Sequence, residues 1–274
     1  MRRVFPHVVL AIASVFALYP VLWVLELALS AQGDVSSLSI GSSIDFQNFA
    51  DVVGASDATG RWMFGRQLAN SLVVSCATAV VGVVVSCTAA YAFSRFRFPG
   101  RDAGLLTLLV TQTFPGVVVL IPIYVLLDTL GLVDSLVGLV LVYSTTSIPF
   151  STWMLKGYFD TIPREMEEAA LMDGASPFMI FVRITLPLAR PAVAITLLFS
   201  FMTAWNEFIF AATLMSDAAH FTLPVVLQRL VGEHHTDFGR FAAGSVIVSA
   251  PVMAAFFVTQ RHLVRGLTAG SVKG

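Results

Sequence analysis

The pattern best suited to a specific contact lies between Asp160 and Pro177, where carboxylates alternate with very small side chains. Glu168 and Asp173 offer hydrogen-bond acceptors that suit an arginine of another protein chain. The small residues beside them let another backbone approach closely. These small residues are Ala169, Ala170, Gly174 and Ala175. The pattern indicates either a docking surface for a partner or an ordinary amphipathic hairpin packed on its own protein.

The first part of this segment carries the signals of a short helix. Pro163 suits the first helical turn, and Asp160 or Thr161 can cap the helix ahead of it. Several glutamates follow, where the helix dipole favours acids. Gly174 suits the left-handed position just after a helix end.

A second short helix begins directly after the first. Ser176-Pro177 is a cap followed by proline at the first turn. We expect this helix to run to about Thr185, because the Leu186-Pro187 pair should break it. The segment is therefore predicted to be two short helices joined by a sharp turn.

The apolar composition of the chain indicates what kind of elements hold this segment. Of 274 residues, 57% are hydrophobic and 12% are charged, and the mean hydropathy is +0.83. Soluble domains usually contain about 25% charged residues. The composition therefore excludes an ordinary soluble domain. The net charge of −1 lacks the basic excess that is typical of nucleic-acid-binding proteins.

Six apolar runs are long enough to cross a bilayer, which takes about 20 residues. They lie at about 8–30, 68–93, 103–127, 135–155, 191–215 and 241–262. The first run exceeds the length of a signal-peptide core, so it is interpreted as an uncleaved span. We predict one all-α transmembrane domain over residues 1–274, with a long loop at about 156–190.

The basic residues define the sidedness of this domain. Six spans place both termini, the 94–102 loop and the 156–190 loop on one side. That side holds 12 of the 16 Lys and Arg residues, namely Arg2, Arg3, Arg95, Arg97, Arg101, Lys156, Arg164, Arg183, Arg190, Arg261, Arg265 and Lys273. Arg61, Arg66, Arg229 and Arg240 lie on the other side. Because cytoplasmic loops are enriched in basic residues, both termini are predicted to be cytoplasmic.

A spaced set of residues in the long inner loop resembles the EAA loop of ATP-binding-cassette importer permeases. The set is Glu168-Ala169-Ala170, Asp173-Gly174-Ala175, Ile184, Leu186-Pro187 and Pro191. Other stretches resemble the carbohydrate-uptake, maltose-permease-like branch. They are Asn70-Ser71-Leu72, Ala89-Ala90-Tyr91-Ala92-Phe93-Ser94-Arg95, Phe98-Pro99-Gly100, Ala204-Trp205-Asn206-Glu207 and the tail from Gln260.

The resemblance implies a type I importer permease fold (MetI-like) in a bacterial or archaeal plasma membrane. It implies that Glu168, Ala169, Ala170, Asp173, Gly174 and Ala175 form coupling helices on a dimeric cytoplasmic ATPase. Glu168 would pair with a basic residue of that ATPase. It further implies a second, different permease chain and an extracytoplasmic sugar-binding protein or lipoprotein as partners.

The chain contains no ATPase motif of its own. A phosphate-binding loop needs Gly-Lys-Ser or Gly-Lys-Thr, but Lys156 follows Leu155 and Lys273 follows Val272. We therefore expect no cofactor and no enzyme activity in this chain, with ATP and Mg²⁺ bound by the partner ATPase.

Trp205, Asn206 and Glu207 allow two interpretations. Their indole, amide and carboxylate groups suit a sugar, so they are candidates for the outer mouth of a translocation path. Alternatively, the polar groups bond only to a neighbouring helix, as polar groups in membranes commonly do.

In the third outer loop, about 216–240, Glu233, His234 and His235 are candidates for contact with the binding protein. The two adjacent histidines lack the spacing of a helical zinc site, so no metal is expected there.

Two other function classes remain as alternatives. A stand-alone secondary transporter needs ionisable residues at mid-depth, and the spans hold few. A membrane enzyme needs a cluster of His, Asp or Glu at an interface, which is not evident. Within the importer class, the alternative cargo is another small solute such as a glycerol phosphate or a polyol.

Overall fold

The computed structural model describes residues 4–30, 44–57, 59–231 and 237–269, and they are predominantly helical. Four of the helices are long and apolar enough to cross a membrane. They are α1 (Val4–Ala28), α3 (Phe64–Arg95), α6 (Leu136–Asp160) and α13 (Phe238–Ala269). A short α2 (Gln47–Val53) lies between the first two. These long helices coincide with the predicted spans 8–30, 68–93, 135–155 and 241–262.

The predicted span 103–127 is not one straight helix. It consists of α4 (Arg101–Thr111) and α5 (Gly116–Thr129), which meet at an angle of 101°. Pro115 lacks a backbone N–H and disfavours helical backbone in the residue before it, which explains why α4 cannot continue.

The predicted span 191–215 is also interrupted. Helix α10 (Arg190–Trp205) stops four residues before α11 (Ile209–Leu214) begins. Ahead of α10 lie α7 (Glu165–Met172), α8 (Pro177–Ile180), a π-helical turn (Phe181–Thr185) and α9 (Leu186–Leu188). The stretch from α8 to α9 meets α10 at 81°. The structure thus holds up to six spans if each bent pair is one span.

A 3₁₀ turn (Ala218–His220) and α12 (Leu223–Arg229) follow α11. The described chain divides into two compact units. One takes the described residues within Met1–Leu68 and Leu223–Pro251, and the other those within Ala69–Thr222 and Val252–Gly274.

In the first unit, α2 is fixed by side chains that satisfy loop and helix-end groups. The Asn48 amide donates to the carbonyls of Ala28 (3.1 Å) and Ser30 (3.0 Å). Arg240 of α13 binds the Asp51 carboxylate at 2.6 Å. Hydrogen bonds from Gln47 and Arg240 hold the pKa of Asp51 below its ordinary value.

In the second unit, small and hydroxylated residues bring the helices close together. Ser147, Ser151 and Ser200 are fully buried on α6 and α10. A Cβ atom on Gly82 of α3 would lie 3.0 Å from the Ser147 hydroxyl. Small residues at helix contacts are typical of membrane bundles, where dispersion packing and hydrogen bonds replace the hydrophobic effect.

Candidate functional site

Helix α7 and the stretch from α8 to α9 form the predicted hairpin. Gly174 has φ +84°, and the Ala175 N–H donates to the Ala170 carbonyl at 2.9 Å. This is the Schellman end that a left-handed glycine permits. The Ser176 hydroxyl then accepts the Met179 N–H at 3.2 Å, which caps α8 as predicted.

Two details of the predicted hairpin were wrong. Neither Asp160 nor Thr161 caps α7, because α6 continues to Asp160, whose carboxylate accepts from Lys156 and Ser94 at 2.6 Å each. Arg164 occupies the cap position without a side-chain hydrogen bond to the helix, so Pro163 lies ahead of α7 and not in its first turn.

The expected break at Leu186-Pro187 is the second correction. The helix continues to Leu188 and turns at Ala189. The π-helical turn shifts the hydrogen-bond register, so that Pro187 falls in the first turn of α9, where its missing N–H costs little.

The outer surface of the hairpin combines acids, small residues and exposed apolar side chains. Glu168, Ala169, Asp173 and Gly174 are exposed, while Ala170 and Ala175 are half-buried. Between the acids, Met172 is 89% exposed, and Phe178 across the turn is 75% exposed. The structure therefore brings the six predicted coupling residues together on one small protrusion.

A buried ion pair ties the inner surface of the hairpin to the end of α3. Arg95 Nε lies 2.8 Å from Glu167 Oε1, and both side chains are at most 10% exposed. Thr185 of the π-helical turn donates to the same oxygen at 3.0 Å, and Arg95 also donates to the Ile162 carbonyl at 3.1 Å. The carboxylate thus joins α3, α7 and the second arm of the hairpin.

An aromatic cluster adjoins this ion pair. The Tyr91 ring lies 4.8 Å from the Phe181 ring and 6.4 Å from the Phe159 ring, measured between centroids. These residues belong to α3, the π-helical turn and α6, and all are buried. Polar and apolar contacts together attach the hairpin to the C-terminal ends of α3 and α6.

Glu168 was among the predicted coupling residues, whereas Glu167 was not. The two side chains point about 100° apart around α7, so one faces the solvent and the other faces Arg95. The available signal was the pairing of a basic residue ending one apolar run with an acid in the next inner loop, but several such pairs exist along the chain.

The three candidates near the end of α10 have different surroundings. Trp205 is 1% exposed and stacks on Phe201 at 5.5 Å, so it packs inside its unit in this conformation. The Asn206 amide is exposed and donates to the Met202 carbonyl at 2.8 Å. Glu207 is half-buried and lines a pocket.

The predicted contact residues Glu233, His234 and His235 lie outside the described residues. Among the described residues, no group of three or more His, Cys, Asp and Glu side chains is arranged to hold a metal ion.

Residues 82–269 match the family model described as "Binding-protein-dependent transport system inner membrane component". The chain is also similar to curated members of this kind of system. It is 33% identical to the galactooligosaccharides transport system permease protein GanQ of Bacillus subtilis (strain 168), over 100% of this chain and 96% of that protein.

Two further relatives are similar over nearly the whole chain. The maltose/maltodextrin transport system permease protein MalG of Escherichia coli (strain K12) is 34% identical, over 100% of this chain and 96% of that protein. The trehalose transport system permease protein SugB of Mycobacterium tuberculosis (strain CDC 1551 / Oshkosh) is 32% identical, over 94% and 93%.

Solved structures agree in fold. A chain of a bacterial ABC transporter that imports the acidic polysaccharide alginate has a TM-score of 0.78 and 25% identity, covering 94% of this chain and 95% of that chain. A chain of the MetNI methionine ABC transporter has a TM-score of 0.59 and covers 77% and 99%. The protein belongs to the inner-membrane permease family of binding-protein-dependent ABC importers.

Proposed function

We propose that this chain is one permease half of an ATP-driven importer that moves a di- or oligosaccharide into the cytoplasm. Relatives that align over nearly the whole chain are named as permeases for galactooligosaccharides, trehalose and maltose or maltodextrin. The chain supplies part of the path, while ATP and Mg²⁺ bind to a separate, dimeric ATPase.

The observation that carries the proposal is the exposed surface of the hairpin. Glu168 offers an acceptor for an ATPase arginine, and such charge-assisted contacts are among the stronger hydrogen bonds. Met172 and Phe178 project largely exposed apolar side chains on either side of the turn, and exposed apolar groups rimmed by polar residues suit an interaction site. An apolar anchor beside a charged acceptor suits a cleft in another protein.

The inner surface of the hairpin supports a coupling role. The Arg95–Glu167 pair and the Tyr91–Phe181 contact leave little freedom between the hairpin and the end of α3. A displacement of the ATPase cleft would therefore move α3 and α6 with the hairpin rather than bend a loose loop.

The other proposed partners are a second, different permease chain and an extracytoplasmic sugar-binding protein. A similar chain, with a TM-score of 0.70 and 15% identity, comes from an alginate transporter solved with a periplasmic protein carrying an alginate pentasaccharide. In this chain we assign that contact to the third outer loop, including Glu233, His234 and His235. The exposed apolar surface of α1 suits lipid or the second permease chain.

The substitution Glu168→Lys tests the coupling role. We expect the assembled complex to form but sugar uptake to fall by about tenfold or more, because a like charge would face the ATPase arginine. Uptake and ATP hydrolysis are measured together in proteoliposomes that contain the complete importer.

Glu165→Lys is the matched control, since it makes the same charge change on the same helix, one turn earlier. We expect it to retain most of the uptake. Parental uptake by Glu168→Lys, or an equal loss in both variants, would exclude a specific role for Glu168.

A further inference from the structure

Two interruptions of helical backbone adjoin one pocket in the second unit. The pocket occupies about 180 Å³ beside the start of α5 and the gap between α10 and α11. It is lined by Gly116, Val117, Tyr143, Thr146, Thr203, Glu207, Ile209 and Phe210. Non-helical backbone at membrane depth is tolerated where it is buried in protein or lines a water-filled cavity.

Exposed polar groups around the pocket favour the water-filled cavity. Gln112, Thr113, Thr146 and Asn206 are all exposed, and the Gln112 amide donates to the Thr146 carbonyl at 3.3 Å. Polar groups facing lipid without full hydrogen bonding are unfavourable. This face of the unit is therefore suited to an aqueous path.

The hydroxyl of Tyr143 gives a second, independent observation. Tyr143 is 1% exposed, and its hydroxyl makes no hydrogen bond of ordinary geometry with any residue that the structure describes, although the Glu207 carboxylate lies nearby. Buried hydroxyls without partners are rare because they lose their bonds to water. Tyr143 lines the pocket, so a solute that displaces its ring slightly would supply the missing partner.

Glu207 retains capacity for such a group. Its two carboxylate oxygens accept the N–H groups of Phe210 (3.0 Å) and Ala211 (3.3 Å), which holds the carboxylate in place at the start of α11. A carboxylate has about four acceptor positions, so further hydroxyl donors can bind.

We propose that this pocket is a contact site for a neutral, polyhydroxylated solute on its way through the importer. This inference rests on the proposed sugar-import function. Glu207 accepts a solute hydroxyl, and the hydroxyls of Tyr143 and Thr203 complete the polar contacts. Apolar lining residues such as Phe210 pack against the sugar's C–H faces. None of the eight lining side chains is cationic, so an anionic solute would meet the carboxylate without compensation.

The test uses thiol chemistry in the assembled importer. Cys76 and Cys87 are the two cysteines of the chain, and both are first replaced by serine. Thr146→Cys is then exposed to a neutral hydroxyethyl thiosulfonate and to an anionic sulfonatoethyl thiosulfonate, with each rate divided by that for a free thiol. We expect the neutral reagent to react about tenfold faster, as a field from a nearby carboxylate produces.

Two variants complete the experiment. Adding Glu207→Gln should bring the two normalised rates close together, and Val84→Cys, on an exposed apolar face of α3, should react with neither reagent. An unreactive Thr146→Cys, equal normalised rates before the Gln change, or a reactive Val84→Cys would each overturn the proposal.

A stability measurement separates a solute contact from a structural role for the tyrosine. Tyr143→Phe should leave the melting temperature of the solubilised importer unchanged or raised, and a clear fall would overturn the assignment. Neither the thiol labelling nor the melting measurement needs ATP or docking of the hairpin. Both should therefore give the same result in an importer that also carries Glu168→Lys. Failure of the pocket is therefore distinguishable from failure of the coupling role.

Discussion

Two adjacent glutamates of α7 have opposite environments. Glu168 faces solvent, whereas Glu167 is 7% exposed and bound by Arg95 and Thr185. The outward acid is available to a partner, and the inward acid holds the surface that presents it. A single helical turn thus supplies both the proposed contact and its support.

Breaking the buried ion pair should destabilise the hairpin more than removing the exposed acid. Glu167→Ala leaves the Arg95 charge buried without its partner, and such losses cost about 3–5 kcal/mol. We expect faster proteolysis within residues 160–190 and a lower yield of ATP-coupled uptake. Limited proteolysis of the solubilised complex, followed by mass spectrometry, measures the first effect directly.

The control for this prediction is Glu168→Ala, which should leave the proteolysis rate unchanged. A double variant, Arg95→Met with Glu167→Leu, should recover part of the lost stability, because apolar replacements of a buried ion pair are often neutral or stabilising. If Glu167→Ala and Glu168→Ala are cleaved at the same rate, the pair does not anchor the hairpin.

Among the secondary-structure elements, helix-capping and turn residues predicted the two helices of the hairpin and the turn between them. Long apolar runs, in contrast, gave no sign of the helix interruptions within two predicted spans. Gly174 and Ser176 act through bonds within a few residues, so their roles are readable locally. The gap after Trp205 is not marked by proline, and Glu207 stabilises it only by reaching the backbone of α11. Likewise, the Arg95–Glu167 contact joins residues 72 positions apart, which no local pattern specifies.

Gly174 offers a prediction about the hairpin as a unit. At φ +84°, a β-branched side chain is strained although no atom would touch its Cβ, and the penalty is about 1–3 kcal/mol. Gly174→Val should therefore distort the turn between α7 and α8 and lower the affinity for the ATPase. Co-purification of the ATPase with the permease measures the loss.

Gly100 provides a matched control because it has φ +82° and equally open surroundings, but lies between α3 and α4. Gly100→Val carries the same local strain but lies outside the hairpin. The ATPase should therefore still co-purify with this variant at the parental level. Equal ATPase recovery from the Gly174→Val and parental importers would show that the turn geometry does not matter for docking.

Two membrane topologies of the whole molecule treat both bent helix pairs alike. If each pair is one span, the chain crosses six times and the hairpin lies on the side of the N-terminus. If each pair is a re-entrant loop, only α1, α3, α6 and α13 cross, and the hairpin lies on the opposite side. The proposed ATPase contact needs the first arrangement.

The distribution of basic residues separates these topologies. Six crossings place 12 of the 16 on one side, whereas four crossings place eight on each side. In the four-crossing case, the side opposite the N-terminus would hold Arg61, Arg66, Lys156, Arg164, Arg183, Arg190, Arg229 and Arg240. Since orientation follows the excess of Lys and Arg in cytoplasmic loops, the six-crossing topology has a defined direction and the four-crossing topology has none.

Single cysteines at two exposed positions distinguish the topologies in intact cells. In a chain without Cys76 and Cys87, six crossings predict that Thr129→Cys reacts with a membrane-impermeant maleimide from outside. Met172→Cys should react only after the membrane is permeabilised. Four crossings predict the reverse at both positions, because both the α5–α6 connection and the hairpin change sides. Labelling of Met172→Cys from outside would place the hairpin on the extracytoplasmic side of the membrane. A cytoplasmic ATPase could not reach it there, and the coupling proposal would be overturned.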